Sequence, residues 1–314
     1  MTKQGIKSNG YKIIIVVFAC ISTLISGCST QNEKSNQSDV LDSSIEAGKN
    51  AKQSNTLFKI DNVVFSVPSP YEFAYFVKNL GINYSREYLN PSKNATMYAT
   101  SFKKAANLGV YGTDLGYLTI YDQTPDAVSY FSTIKTLAND IGIASVFGQK
   151  TMSRIEKNMS NKDSLMFILS TSFRESDAYL KDNDRKSIAA LILAGSWVES
   201  QYILTQIAKT MPVKEVYQRI AEQKHPLDNI IKILSVYYNQ NKDDKDFIEM
   251  TESLVELAYE YDGIDYIYEY KKPIHNPKNN FTIIQSVSEL QINPEQVKSI
   301  TKLTEKLRNS ITKK

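Results

Sequence analysis

The sequence predicts an all-α fold: an irregular array of about eleven antiparallel helices stacked as helical hairpins, with at most a minor strand pair. Helix-starting and helix-ending residues recur at short intervals from residue 57 to the C-terminus. Strand-like runs are confined to residues 63–65 and 281–284. The spaced Trp, Leu-Gly and Tyr signature of tetratricopeptide repeats is absent, so we expect the helices to stack without an exact repeat.

Residues 1–27 have the features of a cleaved secretory signal. Lys3, Lys7 and Lys12 precede an apolar run at residues 13–21, and small residues follow it. These lysines supply the whole net charge of +3, because the stretch contains no Asp or Glu. The remaining chain has 37 − 3 = 34 basic residues against 34 acidic ones. That balance argues against a nucleic-acid partner.

The motif Ile25-Ser26-Gly27-Cys28 resembles the lipobox of bacterial lipoproteins. The resemblance implies cleavage before Cys28, attachment of a diacylglycerol to its thiol, and acylation, typically by palmitate, of the new amino group. An ordinary cleaved signal with a coincidental cysteine is the alternative. If Cys20 leaves with the signal and Cys28 is lipidated, the folded part has no cysteine and no disulfide.

Behind the signal, we expect a tether and one domain. Residues 28–56 begin at the lipidated cysteine and are rich in Ser, Asn, Gln and Lys, a composition typical of flexible polar linkers. Residues 57–314 read as a single helical domain, and a soft boundary near residues 210–213 is the alternative. The predicted location is the outer membrane with the domain facing the periplasm. Exposure at the cell surface is left open.

The expected helices are bounded by capping residues, by prolines in first turns, and by glycines just past helix ends. In chain order they are residues 70–80 before Gly81, the glycine-containing segment 108–122, residues 124–141 before Gly142, a helix opened by Ser160-Asn161-Lys162-Asp163 that runs to residue 180, residues 188–207, segments separated by Met211-Pro212 and His225-Pro226, residues 245–261, and a last helix opened by Asn293-Pro294-Glu295-Gln296.

Four segments occur in an order that resembles a family of exported all-helical lipoproteins of the Bacteroidota. The resemblance implies the fold and the location, and it implies no catalytic residue because the family is uncharacterised. The segments are Val67-Pro68-Ser69-Pro70, Leu89-Asn90-Pro91, residues 107–117 (NLGVYGTDLGY) and residues 190–200 (ALILAGSWVES).

The first candidate site lies in residues 108–122. In a helix, Asp114, Tyr117 and Tyr121 share one face. Glycines at 109, 112 and 116 permit close approach of a backbone or a ligand. The segment therefore predicts either a polar ligand pocket or tight helix packing in which Asp114 satisfies a neighbouring group.

The second candidate site is the helix at residues 188–207, which is apolar nearly all round and is expected to be central and buried. Glu199 interrupts it, near Trp197 and Tyr202. In one interpretation Glu199 and Asp114 converge as an acid/base pair, as in glycoside hydrolysis. In the other, Glu199 meets solvent, a tyrosine hydroxyl, or an arginine from the set Arg154, Arg174, Arg185 and Arg219.

No other feature points to chemistry. His225 and His275 lack His or Cys companions, and residues 262–265 lack the ligand spacing of a calcium loop. We therefore expect no cofactor and no metal.

The sequence favours a lipid-anchored envelope protein with a scaffold or protein-interaction role, bound to the membrane through its lipid and to an envelope protein or glycan. A glycan- or small-ligand-binding lipoprotein with a pocket near Asp114 and Glu199 is the alternative, and a carboxylate-dependent hydrolase is the third.

Overall fold

The computed structural model describes residues 56–60, 63–67, 70–144, 149–158, 161–182, 185–276 and 281–313. The predicted signal peptide, Cys28 and the tether lie outside the described residues, except for Thr56. The all-α class is confirmed, with ten α-helices in the described part. They are α1 Pro70–Asn79, α2 Ser101–Ile120, α3 Thr124–Asp140, α4 Gln149–Lys157, α5 Lys162–Asp182, α6 Lys186–Thr210, α7 Lys214–Ala221, α8 Lys224–Ser235, α9 Lys245–Asp262 and α10 Pro294–Thr312.

Most predicted helix ends lie within two residues of the observed ones. Gly81 and Gly142, which follow α1 and α3, both have φ of +73°, the left-handed conformation that glycine adopts most easily. The predicted capping box at α10 is present, because the side chains of Asn293 and Gln296 each accept a hydrogen bond from the other's backbone N–H. Helix ends are therefore set by local sequence in this protein.

Several predicted boundaries differ from the structure. α2 begins at Ser101, seven residues before the predicted segment 108–122, and α6 ends at Thr210 rather than at residue 207. At α5 the cap is Asn161, whose Oδ1 accepts a hydrogen bond from the Ser164 N–H at 3.0 Å, and Ser160 lies outside the described residues. The pair His225-Pro226 does not precede α8 but lies in its first turn, because α8 begins at Lys224. A proline costs little there, since first-turn N–H groups have no acceptor within the helix.

Helices α2 and α6 form the centre of the fold and make the most extensive helix–helix contact in the described part. Their backbones meet at two glycines. A Cβ built on Gly109 would lie 2.0 Å from the Ile192 carbonyl oxygen, and one on Gly195 would lie 1.9 Å from the Ala106 carbonyl oxygen. Tight helix packing therefore explains these two glycines.

The predicted central position of α6 is confirmed by its burial from Ala189 to Val198. Of the helices in the described ranges, α6 is the one whose length and composition would suit a membrane span, yet 67% of its most apolar window is buried inside the protein. Helices α1, α3 and α5 pack on α2, whereas α7, α8 and α10 pack on α6, and α9 packs on α8 and α10. This makes α6 a core helix.

In the part of the chain that the structure describes, the strands form three short antiparallel pairs. β1 (Thr56–Ile60) pairs with β2 (Val63–Val67), β3 (Asp265–Glu269) pairs with β6 (Val287–Gln291), and β4 (Ile274–Asn276) pairs with β5 (Phe281–Ile283). Both strand-like runs in the sequence form strands. Each of these two strands pairs with the one next to it in the chain, because that pairing closes the shortest loop. The β4–β5 pair lies between β3 and β6 in the chain, and we call the two pairs together, with the described residues 265–276 and 281–291, the arm.

Candidate functional site

Asp114 and Glu199 meet in the core, one turn beyond the α2–α6 crossing. Both side chains are fully buried. The Asn90 backbone N–H donates a hydrogen bond to Asp114 Oδ2 at 3.1 Å. Asp114 Oδ1 has no hydrogen-bond partner, and the Asp114 carboxyl lies close enough to that of Glu199 for the two to interact electrostatically. The structure thus brings together the two carboxyl groups that the sequence singled out.

Arg308 of α10 binds the carboxylate of Glu199. Its Nε and Nη2 donate to Glu199 Oε2 and Oε1 at 2.8 and 2.7 Å, a bidentate geometry that is among the strongest available to an ion pair. The guanidinium also lies over the ring of Tyr202, 4.2 Å from its centroid. Tyr202 therefore joins Glu199 and Asp114 through Arg308, and we call these four residues the core cluster.

The proton balance of the core cluster follows from its burial. Burial raises the pKa of the Asp114 carboxyl well above its usual range, and the charge of Glu199 raises it further. The charge of Arg308 and the N–H of Asn90 offset only part of that increase. A protonated Asp114 supplies the missing donor between the two carboxyl groups. The cluster then holds one negative and one positive charge and is neutral in the core.

Arg308 was not among the four arginines predicted as partners of Glu199. A signal was present in α10, whose buried residues recur every three or four positions and place Arg308 on the stripe with Thr304 and Ile311. An arginine is almost never buried without a charged partner, so an arginine on the buried face of a helix indicates a carboxylate in the core. Arg219, one of the four arginines named, instead pairs with Glu222 just past the end of its own helix.

The C-terminal end of α10 is fixed by side chains around the core cluster. The Asn107 Nδ2 donates to the Ile311 carbonyl oxygen at 2.9 Å, and the Tyr98 hydroxyl donates to the Thr312 carbonyl oxygen at 3.2 Å. Asn90 links the two, because its side-chain N–H groups donate to both Tyr98 and Asn107. The last carbonyls of a helix lack partners within it, so this network satisfies acceptors that would otherwise be unpaired.

Tyr117 and Tyr121 lie away from the core cluster. Their rings pack against each other at an interplanar angle of 48°, with centroids 4.8 Å apart. The Tyr117 hydroxyl accepts from the Ser85 N–H at 3.1 Å, and the Tyr121 hydroxyl donates to the Ile82 carbonyl oxygen at 2.6 Å. Burial raises the pKa of Tyr121 to about 12, so it is a neutral donor at physiological pH. These tyrosines anchor the segment between α1 and α2.

Trp197 also points away from Asp114 and Glu199. Its indole N–H donates to Gln223 Oε1 at 3.1 Å, beside a small hollow against α1 and α7. A larger open groove of about 520 Å³ lies between α6, α7 and α10 and is lined by charged and polar residues such as Lys209, Lys302 and Glu305. The six predicted ligand residues therefore fall into three places: Asp114, Glu199 and Tyr202 together, Tyr117 and Tyr121 together, and Trp197 alone.

We expect Asp114→Asn to remove a pH dependence of stability. Asp114 has a raised pKa in the folded state, so its contribution is complete below the unfolded pKa of about 3.9 and is lost as pH rises through the folded value. Asparagine can donate to Glu199 and accept from Asn90 without ionising. Urea unfolding at several pH values should show the parent losing stability relative to the variant as pH rises.

Asp243→Asn is the matched control for this series, because Asp243 is exposed. Its stability profile should follow that of the parent at every pH. If Asp114→Asn also follows the parent, or is several kcal/mol less stable than the parent at high pH, the assigned proton between the carboxyl groups is wrong.

No group of three or more potential metal ligands occurs among the side chains that the structure describes. The chain matches no protein-family model, no curated protein and no solved structure. The resemblance to exported helical lipoproteins of the Bacteroidota therefore stays a prediction. The segments that carry it contain Asn90, Asn107, Asp114 and Glu199, which are the buried polar residues that hold α2, α6 and α10 together.

Proposed function

We propose that this protein is a lipid-anchored component of the bacterial cell envelope with a scaffold or protein-interaction role. The lipobox-like motif at Cys28 supports the anchor. The core cluster favours a structural use of its carboxyl groups, because Glu199 is bound by Arg308 and neither Glu199 nor Asp114 has an exposed side chain. The geometry thus gives no support to a ligand pocket or an acid/base pair at these residues.

The observation that carries the interaction role is a set of exposed tyrosines on α9 and on β3, in the β3–β6 pair that we call the base of the arm. Tyr259 on α9 is 73% exposed, and Tyr266 and Tyr268 on β3 are 61% and 56% exposed. A tyrosine ring offers rigid apolar area with a polar tip, which suits protein recognition. By contrast, Tyr261 in the same stretch is buried and contributes nothing to this surface.

A single preparation tests both parts of this proposal. The chain is expressed in a bacterial host with a photo-crosslinking amino acid at Tyr268, irradiated in cells, and purified from the membrane fraction. We expect a mass that begins at Cys28 and includes the acyl groups, together with a discrete crosslinked band. The physical reasons are the implied cleavage site and the contact that an exposed tyrosine surface would make.

Val128 on α3 is the matched control position, since it is 50% exposed and lies on another helix. It should give no discrete band. Bands at both positions, or at neither, would contradict a recognition surface at the base of the arm. A mass with an unmodified Cys28 would contradict the lipid anchor independently of the crosslinks.

A further inference from the structure

Strand β3 presents an open edge in the part of the chain that the structure describes. It pairs with β6 on one side and with no other described strand, and all five of its residues are exposed. In an antiparallel pair, alternate residues point their backbone N–H and C=O groups away from the partner strand. No backbone hydrogen bond joins residues 265–269 to a described residue outside the β3–β6 pair. These groups can therefore bind an additional strand.

The base of the arm is already shaped for such an addition. Its register is continuous over five residue pairs, without a bulge. The centre of β3, residues 266–268 (Tyr-Ile-Tyr), contains strand-favouring residues and neither of the proline and lysine residues that natural proteins use to protect exposed edges. Glu289 of β6 is bound by Lys214 and Gln218 of α7 at 2.6 and 2.7 Å, which holds the ribbon against the helical domain. An incoming strand thus meets a template that needs little further ordering.

The charges on β3 indicate which kind of strand fits this edge. Because strand residues alternate, Asp265, Ile267 and Glu269 share one face, with a carboxylate at each end. Asp265 forms no ion pair with a described residue, and its cross-strand neighbour, Gln291, is neutral. Glu269 pairs with Lys271 at 3.5 Å, but both side chains are substantially exposed, and such pairs are weak in water. This face of β3 therefore favours cations in an added strand.

The same charges disfavour a second copy of this chain as the added strand. Antiparallel pairing of two β3 strands centred on Ile267 would place Asp265 of each copy opposite Glu269 of the other. Parallel pairing in register would place the two copies of Asp265 side by side. Like charges that face each other directly across strands are destabilising in either arrangement. The edge is thus complementary to a basic strand rather than to itself.

We propose that β3 binds a partner protein by accepting an extended segment of it as a third, antiparallel strand at the open edge. The segment carries Lys or Arg opposite both Asp265 and Glu269, with apolar or β-branched residues between them. Main-chain hydrogen bonds supply the affinity, and the cations together with the side chains opposite Tyr266 and Tyr268 supply the specificity. This inference rests on the proposed interaction role and names the chemistry of the partner.

The test titrates the full chain in detergent with the fluorescently labelled peptide SKVTVKS up to millimolar concentration. We expect saturable binding by fluorescence anisotropy, and slower hydrogen exchange at those amides of residues 265–269 that point away from β6. The peptide SKVPPKS has the same charge but lacks N–H groups at two successive positions, one of which must face β3. It should therefore bind at least about tenfold more weakly. The acidic peptide SEVTVES should also bind about tenfold more weakly, because its carboxylates face those of β3.

Asp265→Lys tests the charge assignment, because Asp265 is exposed and has no ion pair with a described residue that the substitution would break. The variant should reverse the preference, so that SEVTVES binds more tightly than SKVTVKS. Asp243→Lys, at an exposed position before α9, is the matched control and should bind all three peptides as the parent does.

Equal binding of SKVTVKS and SKVPPKS would indicate charge attraction alone and would overturn the inference, as would no saturable binding or an unchanged preference in Asp265→Lys. Protection of residues 265–269 that rises with protein concentration in the absence of peptide would indicate a second copy and would also overturn it. The crosslink at Tyr268 is a separate measurement. A discrete crosslinked band without peptide binding contradicts strand addition but not the interaction role, whereas peptide binding without a band contradicts the interaction role alone.

Discussion

Gly195→Ala is expected to destabilise the protein by about 3 kcal/mol or more, or to prevent folding, although alanine is the better helix former by about 1 kcal/mol. The added methyl group would lie 1.9 Å from the Ala106 carbonyl oxygen and 2.7 Å from its carbonyl carbon. Both are backbone atoms of α2, which cannot rotate away as a side chain could. The two central helices would have to separate, and the contacts along their whole interface would weaken.

Gly81→Ala is the comparison that separates a steric clash with backbone atoms from the cost of a left-handed backbone conformation. Gly81 has φ of +73° but no atom within 4 Å of its added Cβ, so its replacement should cost only about 1 kcal/mol. Urea or thermal unfolding followed by circular dichroism measures both variants. Equal losses at the two glycines, or a Gly195→Ala protein as stable as the parent, would contradict the backbone contact.

The helices themselves were predictable because their signals are local. Gly81, Gly142 and the Asn293 capping box act within one turn of chain, so the sequence alone marks where helices end. The central position of α6 also follows from composition, because a helix that is apolar on every side has no polar face that could remain exposed to solvent. The partner of Gly109 was not predictable, since it belongs to a helix about eighty residues later in the chain.

The candidate site was predicted only in part, for a related reason. Asp114 and Glu199 stand out because each interrupts a buried helix, and the structure places them together. Trp197 lies on the same helix as Glu199 but projects toward the junction of α7 and α8, and periodicity on one helix cannot tell which neighbour each face meets. Arg308 lies more than one hundred residues from Glu199, so its role depends on how α10 packs.

Apart from β5, the strands of the arm escaped sequence prediction because they lack the usual alternation of buried and exposed residues. β3 reads Asp-Tyr-Ile-Tyr-Glu, and all five residues are exposed. Without a buried face, the pattern does not distinguish a strand from a loop. Of the five clustered tyrosines 259, 261, 266, 268 and 270, only Tyr261 lies in the core, where Gln201 donates to its hydroxyl at 2.6 Å.

Arg308→Met is expected to destabilise the protein by about 3–5 kcal/mol. Methionine fills much of the same space, so the loss comes from leaving Glu199 buried beside Asp114 without a cation. Lys306→Met on the same helix is the matched control. Lys306 pairs with Glu256 at 2.9 Å, but both side chains are at least half exposed, so this substitution should cost less than about 1 kcal/mol.

A second substitution distinguishes the loss of a counter-ion from a general loss of packing around Arg308. In the double variant Glu199→Gln with Arg308→Met, no unpaired charge is left in the core, and the glutamine amide introduced on α6 can still hydrogen-bond to Asp114. We expect the double variant to recover most of the stability that Arg308→Met loses, since replacing a whole buried ion pair is often nearly neutral. If the double variant is as unstable as Arg308→Met, the core cluster does not stabilise the fold through its charges, and the contact of Arg308 with the ring of Tyr202 is what α10 requires.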